Sequence, residues 1–438
     1  MNKLKSLQEK NKENKEKKEK KVNTKSNNQS ENLNKKNDEK EKNSPNLDKE
    51  KNLKKNIENN SDSTNNSSLK EKEEKEVFDS EKDNERRLNI IIDLEKKREL
   101  KEKEEKKEKE RIRKALLKVT SIVKNKNGLI NLGNTCYMNS SLQILIHCSP
   151  FLDKLFCEVP TENLSKEFYD LCNEQLLNIS KPINIKNIFS EKHKNYKGFL
   201  QHDSIEFCRL FLEDISYEMN KVKIIPPYIK LDDNNKTKDQ INIEFDKIFK
   251  RRENSIVVDT FYGQFINIFQ CKCGFESYSY EKFLDIPLLF IEKGTSKIKT
   301  LLKNFFEEEK IELSTKCKKC KKKEQYKKFL RIAYPPEILI LSLQRYDYRK
   351  DVKNNSKIKF KDKIDLEDFI DKGCCGNYST KYNLIGIVNH TGNINFGHYY
   401  SFINIENEWF EFNDSSCFSF TKLNTSSETA YILIYERI

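Results

Sequence analysis

The spacing of apolar positions changes along the chain and divides it into parts. Residues 1–75 alternate Lys, Asn, Glu and Ser, and no amphipathic period runs through them. Over 80–118, Leu88, Ile91 and Ile92 form a short stripe, and Glu-to-Lys pairs four residues apart fill 101–110. That combination predicts a charged helix. Ala115, Leu116, Leu117, Ile122 and Val123 then offer an apolar cluster that can dock on a folded domain. From Gly128 the spacing becomes three and four. Met138, Leu142 and Leu145 follow Cys136 on one face, and Ile205, Cys208, Leu212 and Ile215 make another stripe, so 128–225 reads as mostly helical. Ser149-Pro150 is the expected stop of the first helix. From Ser255 the period falls to two, and 257–269, 283–290, 329–343, 382–388 and 430–435 read as strands. Helices first and many strands afterwards imply an α+β fold.

Charge sharpens the division. The chain has 438 residues and a net charge of +13. Residues 1–127 carry 38 Lys+Arg against 28 Asp+Glu, and 128–438 carry 45 against 42, so the positive balance belongs mainly to the N-terminal part. That part has one aromatic, Phe78, and no cysteine. It cannot bury enough apolar surface to offset chain entropy, and 1–110 is expected to be a disordered tail ahead of a catalytic domain at 128–438. The Lys run at 15–21 can be a nuclear signal or a nucleic-acid patch, but interleaved acids favour a solvated tail. Residues 1–10 hold no apolar run, so no secretory signal is expected. The run at 338–343 is far too short to span a membrane. The 12 cysteines are then expected to be thiols or metal ligands in a cytosolic or nuclear protein.

The stretch Gly128-Leu129-Ile130-Asn131-Leu132-Gly133-Asn134-Thr135-Cys136 carries the first chemical signal. Its glycines and asparagines suit a tight loop and a helix N-cap. Cys136 should open a buried helix, where unpaired N–H groups and the macrodipole favour a thiolate. Most cysteines in such a protein are merely small buried hydrophobes, so the position is suggestive without being decisive. A thiolate nucleophile needs a base, and the base needs an orienting group. Five histidines compete: His147, His193, His202, His390 and His398. His147 lies too far along the nucleophile helix to turn back. His398 enters an alternating strand, and the next alternating segment ends in Asn413-Asp414, so a hairpin can bring either polar residue beside it. The order Cys…His…Asn is that of papain-like enzymes. Asp203 and Glu206, three residues apart at a helix start, can serve a ligand or simply favour the helix N-terminus. Cys271-Lys272-Cys273 and Cys317-Lys318-Lys319-Cys320 suit a four-thiolate zinc site or are four unrelated thiols.

The segment from Gly128 to Gln143 resembles the cysteine box of the ubiquitin-specific proteases, G-L-x-N-L-G-N-T-C-Y/F-M-N-S-x-L-Q. The stretch Gln201-His202-Asp203-Ser204-Ile205-Glu206-Phe207 is similar to the family's Gln-rich acidic box, and 386–402 to its histidine box. The resemblance covers 128–438. It implies a papain-like cysteine peptidase with fingers, palm and thumb: thumb at 128–225, zinc-tipped fingers within 255–330, palm from the rest. It implies Cys136 as nucleophile, His398 as general base and Asn413 as its orienting group, with Asp414 as assistant or rival. Asn131 and the Cys136 N–H would bind the oxyanion. Asp203 and Glu206 would hold the tail of ubiquitin, and Tyr399 would line the channel for its glycines. Cys271, Cys273, Cys317 and Cys320 would bind structural zinc, with no catalytic cofactor. Two positions depart from the family pattern: the first cysteine pair is one residue short, and Gln344-Arg345-Tyr346 replaces a Lys-Arg-Phe ending. The implied activity is hydrolysis at the C-terminal glycine of ubiquitin on ubiquitinated proteins, by a monomer without membrane or specific nucleic-acid partner. The alternatives are a protease for a ubiquitin-like modifier and a non-catalytic ubiquitin-binding scaffold. A nucleic-acid binder is disfavoured, because 128–438 is nearly charge-balanced.

Overall fold

The computed structural model describes residues 68–231, 236–290, 294–313, 316–323, 325–347, 352–374, 376–393 and 396–438. The expected tail falls largely on 1–67, outside the described residues. The expected charged helix is present and longer than the pattern indicated: α1 spans Ser68–Val123. The part of the tail from Ser68 is therefore helical. Exposed pairs such as Arg98–Glu102 and Arg111–Glu108 run along α1, where spacing of three or four residues supports a helix without burial. One compact unit runs from Ile92 to Ile438. Within it α1 contributes core only through its last turns, where Val119 and Ile122 are buried.

Helices dominate the next part. They are α2 (Cys136–Ile146), α3 (Ser149–Cys157), α4 (Asn163–Glu174), α5 (Ile183–Lys192), α6 (Ser204–Glu218), α7 (Lys238–Lys250) and α8 (Ile256–Phe261). Pro150 occupies the first turn of α3. There it starts a helix, because its missing N–H is one that no helix uses at that position. Every residue of α2 is buried, polar ones included. Small side chains allow this. Ser141 Oγ lies 2.7 Å from Ser204 Oγ on α6 and donates to Ser204 O at 3.1 Å, so the two backbones approach closely. The strand expected at 257–269 begins as helix α8. Ser255 caps it by accepting from the Val258 N–H, and packing overrides the β preference of Val257 and Val258.

The strands form two main sheets. β1 (Gly263–Cys271), β2 (Glu276–Phe283), β4 (Glu309–Glu312) and β5 (Gln325–Tyr334) make a four-stranded sheet ordered β2-β1-β5-β4. The larger sheet contains β3 (Asp285–Leu289), β6 (Ile338–Gln344), β7 (Lys381–Gly392), β8 (Gly397–Ile405), β9 (Glu408–Asn413), β10 (Ser416–Phe420) and β11 (Ala430–Arg437). Its order is β10-β9-β8-β7-β11-β6-β3, antiparallel except for the parallel β3–β6 pair. One core lies between the helices and one face of the large sheet, and a second covers its other face together with α9 (Ile298–Phe305). These match the expected thumb, fingers and palm, with the finger sheet reaching to Tyr334, α7 lying ahead of the expected finger range and α8 opening that range as helix. Among the described residues no helix is long and apolar enough to cross a membrane.

Candidate active site

The loop before α2 is fixed by its own side chains. Asn131 Oδ1 accepts from the Gly133 and Thr135 N–H groups at 2.9 and 3.0 Å. Gly133 and Asn134 are left-handed, with φ of 100° and 54°, angles that glycine and asparagine adopt most readily. Thr135 sits at the N-cap of α2 without capping it. Its hydroxyl turns back and accepts from the Leu132 N–H at 2.9 Å. The first-turn N–H groups thus keep their pull on an anion beside Cys136.

His398 arrives on the palm, on β8. The β8–β9 hairpin turns through Glu406 and Asn407, both left-handed, the geometry of a two-residue turn matched to strand twist. Its register pairs Ser401 with Phe412. Continued by one residue, that register sets Asn413 across from Tyr400, on the face that also carries His398 two residues away. His398 Nε2 meets Asn413 Oδ1 at 2.7 Å, which leaves Nδ1 for the thiol. The Cys136 sulfur pushes the half-buried His398 up to about 9; burial opposes this, and the Asn413 bond and Asp414 add to it.

Asp414 does something else. The strand ends at Asn413, and Asp414 is left-handed with φ of 49°. Its carboxylate turns to the cysteine loop, accepting from Asn131 Nδ2 at 2.9 Å and from Asn139 Nδ2 at 2.8 Å. Its carbonyl accepts from the Leu129 N–H at 2.8 Å. A Cβ at Gly128 would come within 2.3 Å of that same carbonyl oxygen. Asn413 therefore meets the His398 ring, while Asp414 joins the palm to the loop before Cys136. Asn131, expected at the oxyanion, spends its oxygen on its own loop and shares Nδ2 with Asp414.

The other histidines belong elsewhere. His147 lies between the Gln143 and Asn125 carbonyls, His193 faces Asp214, and His202 stacks on Tyr196. Burial pushes His390 down to about 3, and its ring meets the Tyr346 hydroxyl. Of the two acids expected to bind a ligand, Asp203 is largely committed. It caps α6 by accepting from Ile205 and Glu206 N–H groups, and it accepts from the Tyr431 hydroxyl. Burial raises its carboxyl. The helix-start reading thus holds for Asp203, whereas Glu206 is exposed. Both line a groove with Gln201, Tyr346 and Tyr399. Pattern reading passed over Asn139 and Tyr431. A polar residue one turn after Cys136 in a buried helix was the available sign for Asn139.

At the far end of the four-stranded sheet the sulfurs of Cys271, Cys273, Cys317 and Cys320 all lie within 4.8 Å of one another. Cys271 is 3.9 Å from Cys320, and Cys273 is 3.7 Å from Cys317. The short first pair is accommodated by a tight turn: the Gly274 N–H donates to Cys271 O at 2.9 Å, and Gly274 has φ of 79°. The cluster can hold a metal ion.

A family model described as Ubiquitin carboxyl-terminal hydrolase matches residues 127–435. The chain is similar to ubiquitin carboxyl-terminal hydrolase Usp2 of Drosophila melanogaster, at 30% identity over 329 residues, which is 71% of this chain and 34% of that protein. It is similar to ubiquitin carboxyl-terminal hydrolase 21 of Homo sapiens at 29% over 355 residues, 70% of this chain and 61% of that protein. The chain thus spans about a third to three-fifths of the length of these curated relatives. Among solved structures it resembles the SAGA Ubp8/Sgf11/Sus1/Sgf73 DUB module bound to ubiquitin aldehyde, with TM-score 0.58 and 25% identity over 72% of this chain and 70% of that one. A SAGA DUB module bound to monoubiquitin gives TM-score 0.59 at 24% identity, with 72% and 70% covered.

Proposed function

The chain belongs to the ubiquitin carboxyl-terminal hydrolase family, and from that premise we propose that it is a thiol-dependent hydrolase of the isopeptide and peptide bonds that follow the C-terminal glycine of ubiquitin. The observation that carries the reading is the set made by Cys136 at the start of α2, His398 beside it, and Asn413 on the far side of the imidazole. The Cys136 thiol gives its proton to His398. The sulfur attacks the glycine carbonyl, and an S–C bond forms. The first-turn N–H groups of α2, with Asn131, face the oxyanion. Collapse of the adduct breaks the C–N bond, and His398 returns the proton to the departing lysine amine. Water then attacks the thioester, His398 takes its proton, and ubiquitin leaves with a free carboxylate as the thiol is restored. Asn413 keeps the ring in one tautomer throughout. The groove lined by Glu206 and Tyr399 receives the extended tail, and Glu206 offers its carboxylate to a basic side chain there.

The four-sulfur cluster fits zinc. Sulfurs about 2.3 Å from a tetrahedral ion lie about 3.8 Å apart, matching 3.7 and 3.9 Å. Zinc held by Cys271, Cys273, Cys317 and Cys320 would cross-link the fingertip, because four thiolates leave no position for water. The eleven described cysteines are all free, in keeping with a reducing compartment such as cytosol or nucleus.

Ubiquitin bearing a C-terminal electrophile tests the reading. The expected adduct is at Cys136 alone, found by peptide mass mapping. An adduct at Cys148 or Cys208, or capture only by a ubiquitin-like probe, overturns it.

A further inference from the structure

The segment just ahead of α6 is held in an unusual way. Phe199 and Leu200 are 70% and 68% exposed, so apolar burial does not fix it. Its anchors are contacts to residues flanking the catalytic pair. Asn134 Nδ2 donates to Phe199 O at 2.8 Å. The Phe199 ring covers Gly133, where a Cβ would come within 2.7 Å of it. At the other end the Gln201 side-chain amide meets Gly397 twice: Nε2 donates to Gly397 O at 3.2 Å, and Oε1 accepts from the Gly397 N–H at 3.0 Å. Asn134 lies two residues before Cys136, and Gly397 one before His398. The segment therefore links the nucleophile's loop to the base's strand.

Gly397 is the loose joint of that strand. A Cβ there would come within 2.0 Å of His390 Nε2, so the packing of His390 demands glycine. Glycine is the least restrained residue, and this one stands where the β7–β8 ladder ends, at Gly392–Gly397. The ladder sets His398 opposite Thr391, but Gly397 is in its last pair, and the paired contacts of Gln201 restrain that end of the strand. An exposed hydrogen bond adds little stability, but orientation of a reacting group is worth far more in rate than in stability.

We propose that Gln201 is a positioning residue for catalysis: its amide, tied to the cysteine loop through Phe199 and Asn134, sets the backbone of Gly397 and so the placement of the His398 imidazole against Cys136. The proposal rests on the reading of Cys136 and His398 as the catalytic pair. Gln201→Met keeps the length of the side chain and removes both hydrogen bonds. Asn134→Gly releases the other end while tolerating the left-handed backbone.

The test is the rate at which iodoacetamide alkylates Cys136, followed by peptide mass, beside kcat and KM for a ubiquitin C-terminal fluorophore substrate. Iodoacetamide needs no ubiquitin contact, so it reports placement of the pair alone. In Gln201→Met, alkylation and kcat are each expected to fall about tenfold, with KM within about twofold; Asn134→Gly shifts them the same way by less. Unchanged alkylation in both variants overturns the proposal, whether KM rises, as for a residue that holds the ubiquitin tail, or only Tm falls. Should Gln201→Met not fold, Asn134→Gly alone decides. His398→Ala is measured in parallel. If it leaves alkylation of Cys136 undiminished, the catalytic pair itself is misassigned, and that failure is distinct from failure of the positioning role.

Discussion

At the scale of single residues, the neighbours Asn413 and Asp414 divide two tasks between them. Asn413→Ala removes the group that orients His398 and leaves the loop contacts whole. It should lower kcat by about a hundredfold with little change in Tm. Asp414→Ala takes an acceptor from the amides of Asn131 and Asn139, the second of which keeps only the Leu129 carbonyl. It should destabilise the fold by about 1–3 kcal/mol as well as slow turnover. Paired measurement of kcat and Tm separates the two. Should Asp414→Ala lower kcat more while Tm stays fixed, Asp414 is the orienting group. The pH profile gives a second reading. His398 is raised to about 9, first by the Cys136 sulfur, so the proton-bearing pair and its contribution to stability are complete below the ordinary imidazole range. Both are lost as pH rises through about 9. An alkaline limb in kcat/KM near pH 9 is expected, moved to lower pH in Asn413→Ala.

At the scale of elements, much was legible and some was not, for identifiable reasons. The start of α2 could be read because Gly133, Asn134 and Thr135 are residues that turns and caps require. α8 could not, because Val257 and Val258 prefer strands in isolation and only the Ser255 cap and the surrounding core make them helical. Which of Asn413 and Asp414 meets His398 turned on where β9 stops, and that depends on one left-handed residue. Asp203 carried two readings because a cap and a ligand-binding acid have the same sequence sign. The fingertip was readable despite its short first pair, since four cysteines on two turns need only turn geometry to converge. Its metal can be checked directly: elemental analysis should find one zinc per chain, Cys317→Ser should abolish it, and Tm should drop in consequence. Absence of metal from unchelated protein would leave the cluster as four thiols.

At the scale of the whole molecule, a partly buried tie joins thumb and palm. Arg209 on α6 grips Asp285 on β3 with bonds of 2.8 and 2.6 Å, and Ser342 on β6 donates to the same carboxylate at 2.5 Å. Asp285→Ala strands a partly buried guanidinium and should cost about 2 kcal/mol or more in urea unfolding; a change under 0.5 kcal/mol would show that the lobes do not depend on it. The order of the large sheet also has a consequence in time. β11, the strand of that sheet that comes latest in the chain, lies in its interior between β7 and β6. During synthesis the helices leave the ribosome first, with Cys136 already among them, while the sheet stays split into two unjoined halves. The base and the Asp414 bridge cannot close over the thiol until residues 430–437 have emerged and been inserted. Under the proposed function, a nascent chain would be an inert thiol protein, and hydrolysis of ubiquitin conjugates is expected only once residues 430–437 have been inserted.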